Sequence, residues 1–132
     1  MAAPMPTIAV LGASGLIGQA VATHLMREGF GVVPVARRFT VAQKAAFGDD
    51  AVEAPVVGLG AGALARLVAE CGADIVVNCI GVLQDSARRG TAAEAHAGFA
   101  ARLVEAAAGR PCLLVHLSIP GSEADDRTAF SA

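Results

Sequence analysis

The chain has 132 residues, 55% of them hydrophobic and 17% charged, with a formal net charge of −2. This composition excludes a disordered chain, and the length fits one domain with a single core but is small for a two-domain enzyme. The balanced charge and the absence of a long basic run leave nucleic acid and anionic membrane without an evident binding surface.

Met1–Thr7 has no basic segment followed by a long apolar run, so neither a signal peptide nor a transmembrane helix is expected, and a cytoplasmic location follows. The cysteines are odd in number and lack metal-ligand spacing. Buried free thiols in a reducing compartment are the expectation for Cys71, Cys79 and Cys112. No metal site is expected.

Thr7–Gly18, TIAVLGASGLIG, sets the order of strand, glycine turn and helix that a dinucleotide-binding fingerprint requires. Gly12 permits a tight turn out of the strand, Gly15 lets backbone approach a pyrophosphate, and Gly18 lets the helix pack against neighbouring strands. The helix start, with Leu16 and Ile17, would offer free N–H groups and the positive end of its dipole to phosphate. Ser14 adds a hydroxyl as cap or as phosphate ligand. A glycine-rich turn that binds nothing is the alternative.

The helix is predicted over Gly15–Glu28, with Ile17, Val21 and Leu25 inward, Leu16 and Ala20 widening that stripe, and Gln19, Thr23 and Arg27 outward. Gly31–Ala36 reads as the second strand, with Pro34 awkward inside it. It ends in Arg37 and Arg38, nineteen and twenty residues after Gly18. An acidic residue there would hold a ribose 2′-hydroxyl, whereas an arginine suits a 2′-phosphate, so NADP is favoured over NAD. A solvated basic turn is the alternative.

Further elements are a short helix over Thr40–Phe47, a third strand over Val52–Val57, a helix over Ala63–Cys71 with Leu64, Leu67 and Val68 inward, and a fourth strand over Asp74–Cys79. Val82–Gly90 reads as an exposed loop. A helix follows over Thr91–Ala108, with His96, Phe99, Leu103 and Ala107 on one face, and then a fifth strand over Leu113–Leu117. This alternation gives an α/β fold, a doubly wound parallel sheet of about five strands in the order 3-2-1-4-5. The topological switch would then place Gly12–Gly18 beside Asn78, Ile80 and Gly81.

With these elements placed, the sequence resembles the N-terminal part of a short-chain dehydrogenase/reductase. The likeness is to the extended or atypical branch, which holds epimerase/dehydratase-like proteins and relatives of the NADH–ubiquinone oxidoreductase 39 kDa subunit. Gly12-Ala-Ser-Gly15-Leu-Ile-Gly18 has the family's glycine spacing, and Val35-Ala-Arg37-Arg38 resembles the basic turn of its NADP binders. Val77-Asn78-Cys79-Ile80-Gly81 resembles the fourth-strand turn lining the cofactor cleft. Val115-His116-Leu117-Ser118 resembles the strand end where the family keeps a catalytic serine.

The resemblance implies hydride transfer at a nicotinamide, with tyrosinate as acid–base and a lysine four residues on. Here Phe130 stands where the tyrosine is expected, the sequence contains no tyrosine at all, and the lysine position lies past Ala132. The 132 residues therefore read as a cofactor-binding domain truncated before that segment and before the substrate-binding part, not expected to turn over alone. The alternative is a non-catalytic nucleotide-binding module, a redox sensor or accessory subunit. Ser118 either polarises a substrate carbonyl or is an ordinary strand-end serine. Asn78 either bonds the cofactor or closes its turn. His96 is either a core histidine or an occupant of the active-site helix position. A thiol-dependent reductase sharing the glycine turn is a further reading, for which Cys79 is the only cysteine near the crevice, in surroundings that raise its pKa.

Overall fold

The computed structural model describes residues 5–80 and 89–117, and for 89–97 the backbone alone. In chain order these form β1 (Thr7–Leu11), α1 (Leu16–Arg27), β2 (Gly31–Ala36), α2 (Val41–Phe47), β3 (Val52–Glu53), α3 (Ala61–Cys71), β4 (Ile75–Asn78), α4 (Arg89–Ala107) and β5 (Leu113–His116). Single 3-10 turns lie at Gly48–Asp50 and Val56–Gly58.

The strands form one parallel sheet in the order β3-β2-β1-β4-β5, as the alternation of elements predicts. β1 lies between β2 and β4, with Leu11 opposite both Val35 and Asn78. The chain moves outward from β1 to β3 and then returns to β4 on the other side. The carboxyl ends of β1 and β4 therefore flank the crevice where the winding reverses.

Both sheet faces are covered, which is why the strands are nearly continuous in apolar residues. Ile8 and Val10 of β1 point to one face, with Val32, Ala36, Ala22, Phe39 and Phe47. Ala9 and Leu11 point to the other, with Leu64 and Val68 of α3 and Phe99 and Leu103 of α4. Phe99 is 1% exposed, and truncating it to alanine would cost about 3–5 kcal/mol.

Four sequence expectations change. β3 spans only Val52–Glu53, not Val52–Val57, because Pro55 cannot extend the ladder and the chain turns at Val56–Gly58. Leu16 is 76% exposed and Ala20 is also exposed, so neither widens the inward stripe of α1. Each lies two residues from the buried Gly18, about 200° around the helix. On α4 the buried residues are Phe99, Leu103 and Ala106, with Ala107 half-buried; the His96 side chain lies outside the described residues. Pro34 is accommodated within β2. Ala36 accepts from Ala54 N, so the even-numbered residues of β2 turn their backbone toward β3, whose ladder begins only at Val35. The donor that proline lacks faces a side where no strand among the described residues lies beside it.

Candidate functional site

The turn between β1 and α1 depends on bare Cα atoms at two points. Gly12 has φ +82°, and a Cβ there would stand 2.9 Å from Ile80 Cγ1 and 3.1 Å from Ile80 N. A Cβ on Gly18 would lie 2.0 Å from the Gly12 carbonyl oxygen. Gly18 thus lets α1 fold onto its own entry turn; the neighbouring strands, expected from the sequence, are not what it meets. Gly15 is different. A Cβ there would meet only the Gly12 oxygen, at 3.6 Å, and its φ of −81° and ψ of 172° suit any residue. Nothing within the described chain requires glycine at this position.

Gly12 N and Ala13 N both donate to the Val35 carbonyl, at 2.8 and 3.0 Å, which ties the turn to the end of β2. The first bond of α1 runs from Gln19 N to the Gly15 carbonyl at 2.9 Å. The N–H groups of Leu16, Ile17 and Gly18 therefore have no acceptor among the described residues. No side chain caps this end and no acidic residue lies in the first turn. Three free donors and the positive end of a twelve-residue helix favour an anion here. Ser14 is exposed beside them.

Across the crevice, Cys79 N donates to the Leu11 carbonyl at 2.9 Å and so brings the end of β4 against the glycine turn. Asn78 is 1% exposed. Its Oδ1 accepts from Ile80 N at 3.1 Å, and its Nδ2 lies 3.0 Å from His116 Nδ1. The Oδ1 bond closes the turn out of β4. Because Oδ1 is occupied by a donor, Nδ2 donates to His116 and the imidazole accepts at Nδ1. Burial pushes the Cys79 thiol pKa up, which leaves it a poor nucleophile and disfavours the thiol-dependent reading.

At the end of β2, Arg37 and Arg38 are both exposed but face different surroundings. Arg37 borders a cleft of about 550 Å³ walled by Pro55, Val56, Val57 and Gly58. Arg38 lies near Glu53. The Glu53 carboxylate accepts from Phe39 N at 2.9 Å and stands 3.6 Å from Lys44 Nζ. The Phe39 bond, the largest effect, holds its pKa below the ordinary carboxylate value against desolvation, with lesser help from Lys44 and the Arg38 charge. From α4, Arg102 donates to the Leu59 carbonyl at 2.9 Å and to the Val57 carbonyl at 2.6 Å, which fixes the apolar wall.

Glu53, Arg102 and Gln43 escape the sequence reading. Gln43 alone carried a local sign, since Thr40-x-x-Gln43 is a capping-box pattern and both of its bonds form. Gly81 and Ser118, with Asp85, Arg88 and Phe130, lie outside the described residues. Among the described residues no group of three His, Cys, Asp or Glu side chains could hold a metal, and no helix is long and apolar enough to cross a membrane.

Residues 8–123 match the model of the NAD dependent epimerase/dehydratase family. Among curated proteins no match was found. The fold is similar to L-threonine dehydrogenase from Clostridium difficile, with TM-score 0.69 and 17% identity over 86% of this chain and 36% of that one. It is similar to a UDP-glucose-4-epimerase from Stenotrophomonas maltophila with bound NAD, with TM-score 0.67 and 20% identity over 85% and 36%. The enzyme WbmG of Bordetella bronchiseptica, in complex with NAD, gives 0.66 and 18% over 85% and 37%. The chain thus spans little more than a third of the length of these structures.

Proposed function

The chain belongs to the NAD dependent epimerase/dehydratase family, and from that premise we propose that it is the NADP(H)-binding domain of an atypical short-chain dehydrogenase/reductase. One observation carries the reading: the uncapped start of α1, with Leu16, Ile17 and Gly18 N–H free, stands at the crevice beside the end of β4. Those N–H groups would hold the pyrophosphate, with Ser14 beside them. The space next to Gly15 lets the diphosphate approach the backbone, and Ile80 with Gly81 would border its other side.

The cleft beside Arg37 suits the adenosine end, with Pro55, Val56 and Val57 as the apolar wall. Arg37 would pair with a 2′-phosphate, with Arg38 adding positive charge beside it. The sequence between Val35 and Thr40 contains no acidic residue that would favour a free ribose hydroxyl. A bound dinucleotide supplies hydride chemistry at its nicotinamide. Ser118, by the family resemblance of its strand end, would polarise a substrate carbonyl. Three free cysteines suit a reducing compartment, the cytoplasm.

Titration of the purified protein with NADPH and NADH, followed by nucleotide fluorescence, tests this reading. NADPH should bind more tightly than NADH; failure of both to bind overturns the assignment. Phe130, in place of the family tyrosine, favours a second reading in which binding occurs without turnover, since a phenyl ring cannot exchange a proton. Substrate-dependent oxidation of NADPH would contradict that second reading.

A further inference from the structure

Residues 55–60 leave the sheet after β3, whose last tie to β2 runs from Ala54 N to the Ala36 carbonyl at 2.9 Å. Their own bonds are local: Val56 N donates to the Ala54 carbonyl, Gly58 N to that of Pro55 and Leu59 N to that of Val56. The carbonyls of Val57 and Leu59 receive no backbone N–H among the described residues. Yet this segment, with glycine at positions 58 and 60, forms the wall of the cleft beside Arg37.

One side chain takes both carbonyls. From α4, Arg102 Nε donates to the Leu59 carbonyl at 2.9 Å and Nη2 to the Val57 carbonyl at 2.6 Å. The two donors belong to one rigid planar fork, so a single group fixes two carbonyls that stand two residues apart. One turn earlier on α4, a Cβ on Gly98 would lie 3.3 Å from Arg102 Nη1, and the bare Cα leaves the guanidinium its room. The next residue, Leu103, is 1% exposed in the core, so the fork extends from a helix that is itself anchored. Arg102 does not border the cleft.

Resting on the dinucleotide reading above, we propose that Arg102 is a positioning residue of the site. It holds the wall of the adenosine cleft in place without touching the nucleotide. A wall already held spares the nucleotide the cost of ordering it.

Arg102→Met keeps an unbranched apolar stem and removes both donors. Arg102→Lys keeps the charge, but one nitrogen cannot reproduce the fork, and it gives the same test where methionine is not tolerated. The experiment compares these variants of the whole chain with wild type by amide hydrogen exchange without nucleotide and by titration with NADPH, NADH and AMP.

In Arg102→Met the Gly58 and Leu59 amides should exchange faster, while Cys79, whose N–H joins β4 to β1, keeps its wild-type rate. NADPH, NADH and AMP should weaken by the same factor, about tenfold, because only the adenosine end they share meets the wall. Arg102→Lys should show the same pattern to a smaller degree. Wild-type affinities in Arg102→Met would overturn the proposal, and so would unchanged exchange at Gly58 and Leu59. Equal quickening at Cys79 would overturn it by tracing the loss to general loosening. A loss confined to NADPH would overturn it by showing that the Arg102 charge acts on the 2′-phosphate directly. If the wild-type protein binds none of the three, the dinucleotide reading fails, and exchange at Gly58 and Leu59 alone decides whether Arg102 holds the wall.

Discussion

The two turns that would hold opposite ends of a dinucleotide are built by different means. The glycine turn after β1 is set by backbone: a Cβ on Gly18 would lie 2.0 Å from the Gly12 carbonyl oxygen, and the Val35 carbonyl receives two N–H groups of the turn. The arginine turn after β2 is set by side chains from elsewhere, Glu53 at Phe39 N and Gln43 at Thr40 N. Backbone sterics fix the first to a fraction of an ångström and respond to no titration. The second rests on one carboxylate and one amide side chain, so a single polar substitution removes a support.

The contrast breaks most sharply at the glycines. Gly18→Ala forces the entry turn apart and should cost about 3 kcal/mol of stability, at the upper end of overpacking costs, measured by urea denaturation. Gly15→Ala meets only an ordinary contact and should change stability by less than about 0.5 kcal/mol. It should nevertheless weaken NADPH by about 1–3 kcal/mol through crowding of the diphosphate. Equal stability losses at both positions would remove the distinction between a glycine the fold needs and one the ligand needs.

On the arginine turn, Arg37→Ala should weaken NADPH by about 1–3 kcal/mol and leave NADH nearly unchanged, because a charge-assisted contact to the 2′-phosphate is lost. Equal losses for both nucleotides in the same titration would show that Arg37 does not read that phosphate.

The smallest effect concerns acid. Glu53 has a folded pKa below its ordinary value of 4.5, so its contribution is present above pH 4.5 and is lost as pH falls through the folded value. Glu53→Gln should therefore be less stable than wild type near neutrality, and the difference should vanish once the wild-type carboxyl is protonated. Urea midpoints at about pH 6 and about pH 3 would show it. A difference independent of pH would mean that the bond to Phe39 N does not need the charge.

Legibility in the sequence follows the same division. Gly12–Gly18 could be read because its constraints lie within seven consecutive residues, and the strand order followed from short connections between apolar runs. Val56 and Val57 have the apolar, β-branched character of strand, although Pro55 turns the chain before them and β3 ends at Glu53. Leu16 has the apolar character of an inward residue, although its angular position on α1 is opposite Gly18. The contacts of Glu53, Gln43 and Arg102 join residues 14, 29 and 43 positions apart, and no local pattern reports such pairings.

The most direct test of the central claim is an amide NMR titration with NADPH. The largest shifts are expected at Leu16, Ile17 and Gly18, the three donors at the start of α1 without an acceptor among the described residues. Binding that moved other amides and left those three in place would contradict the account.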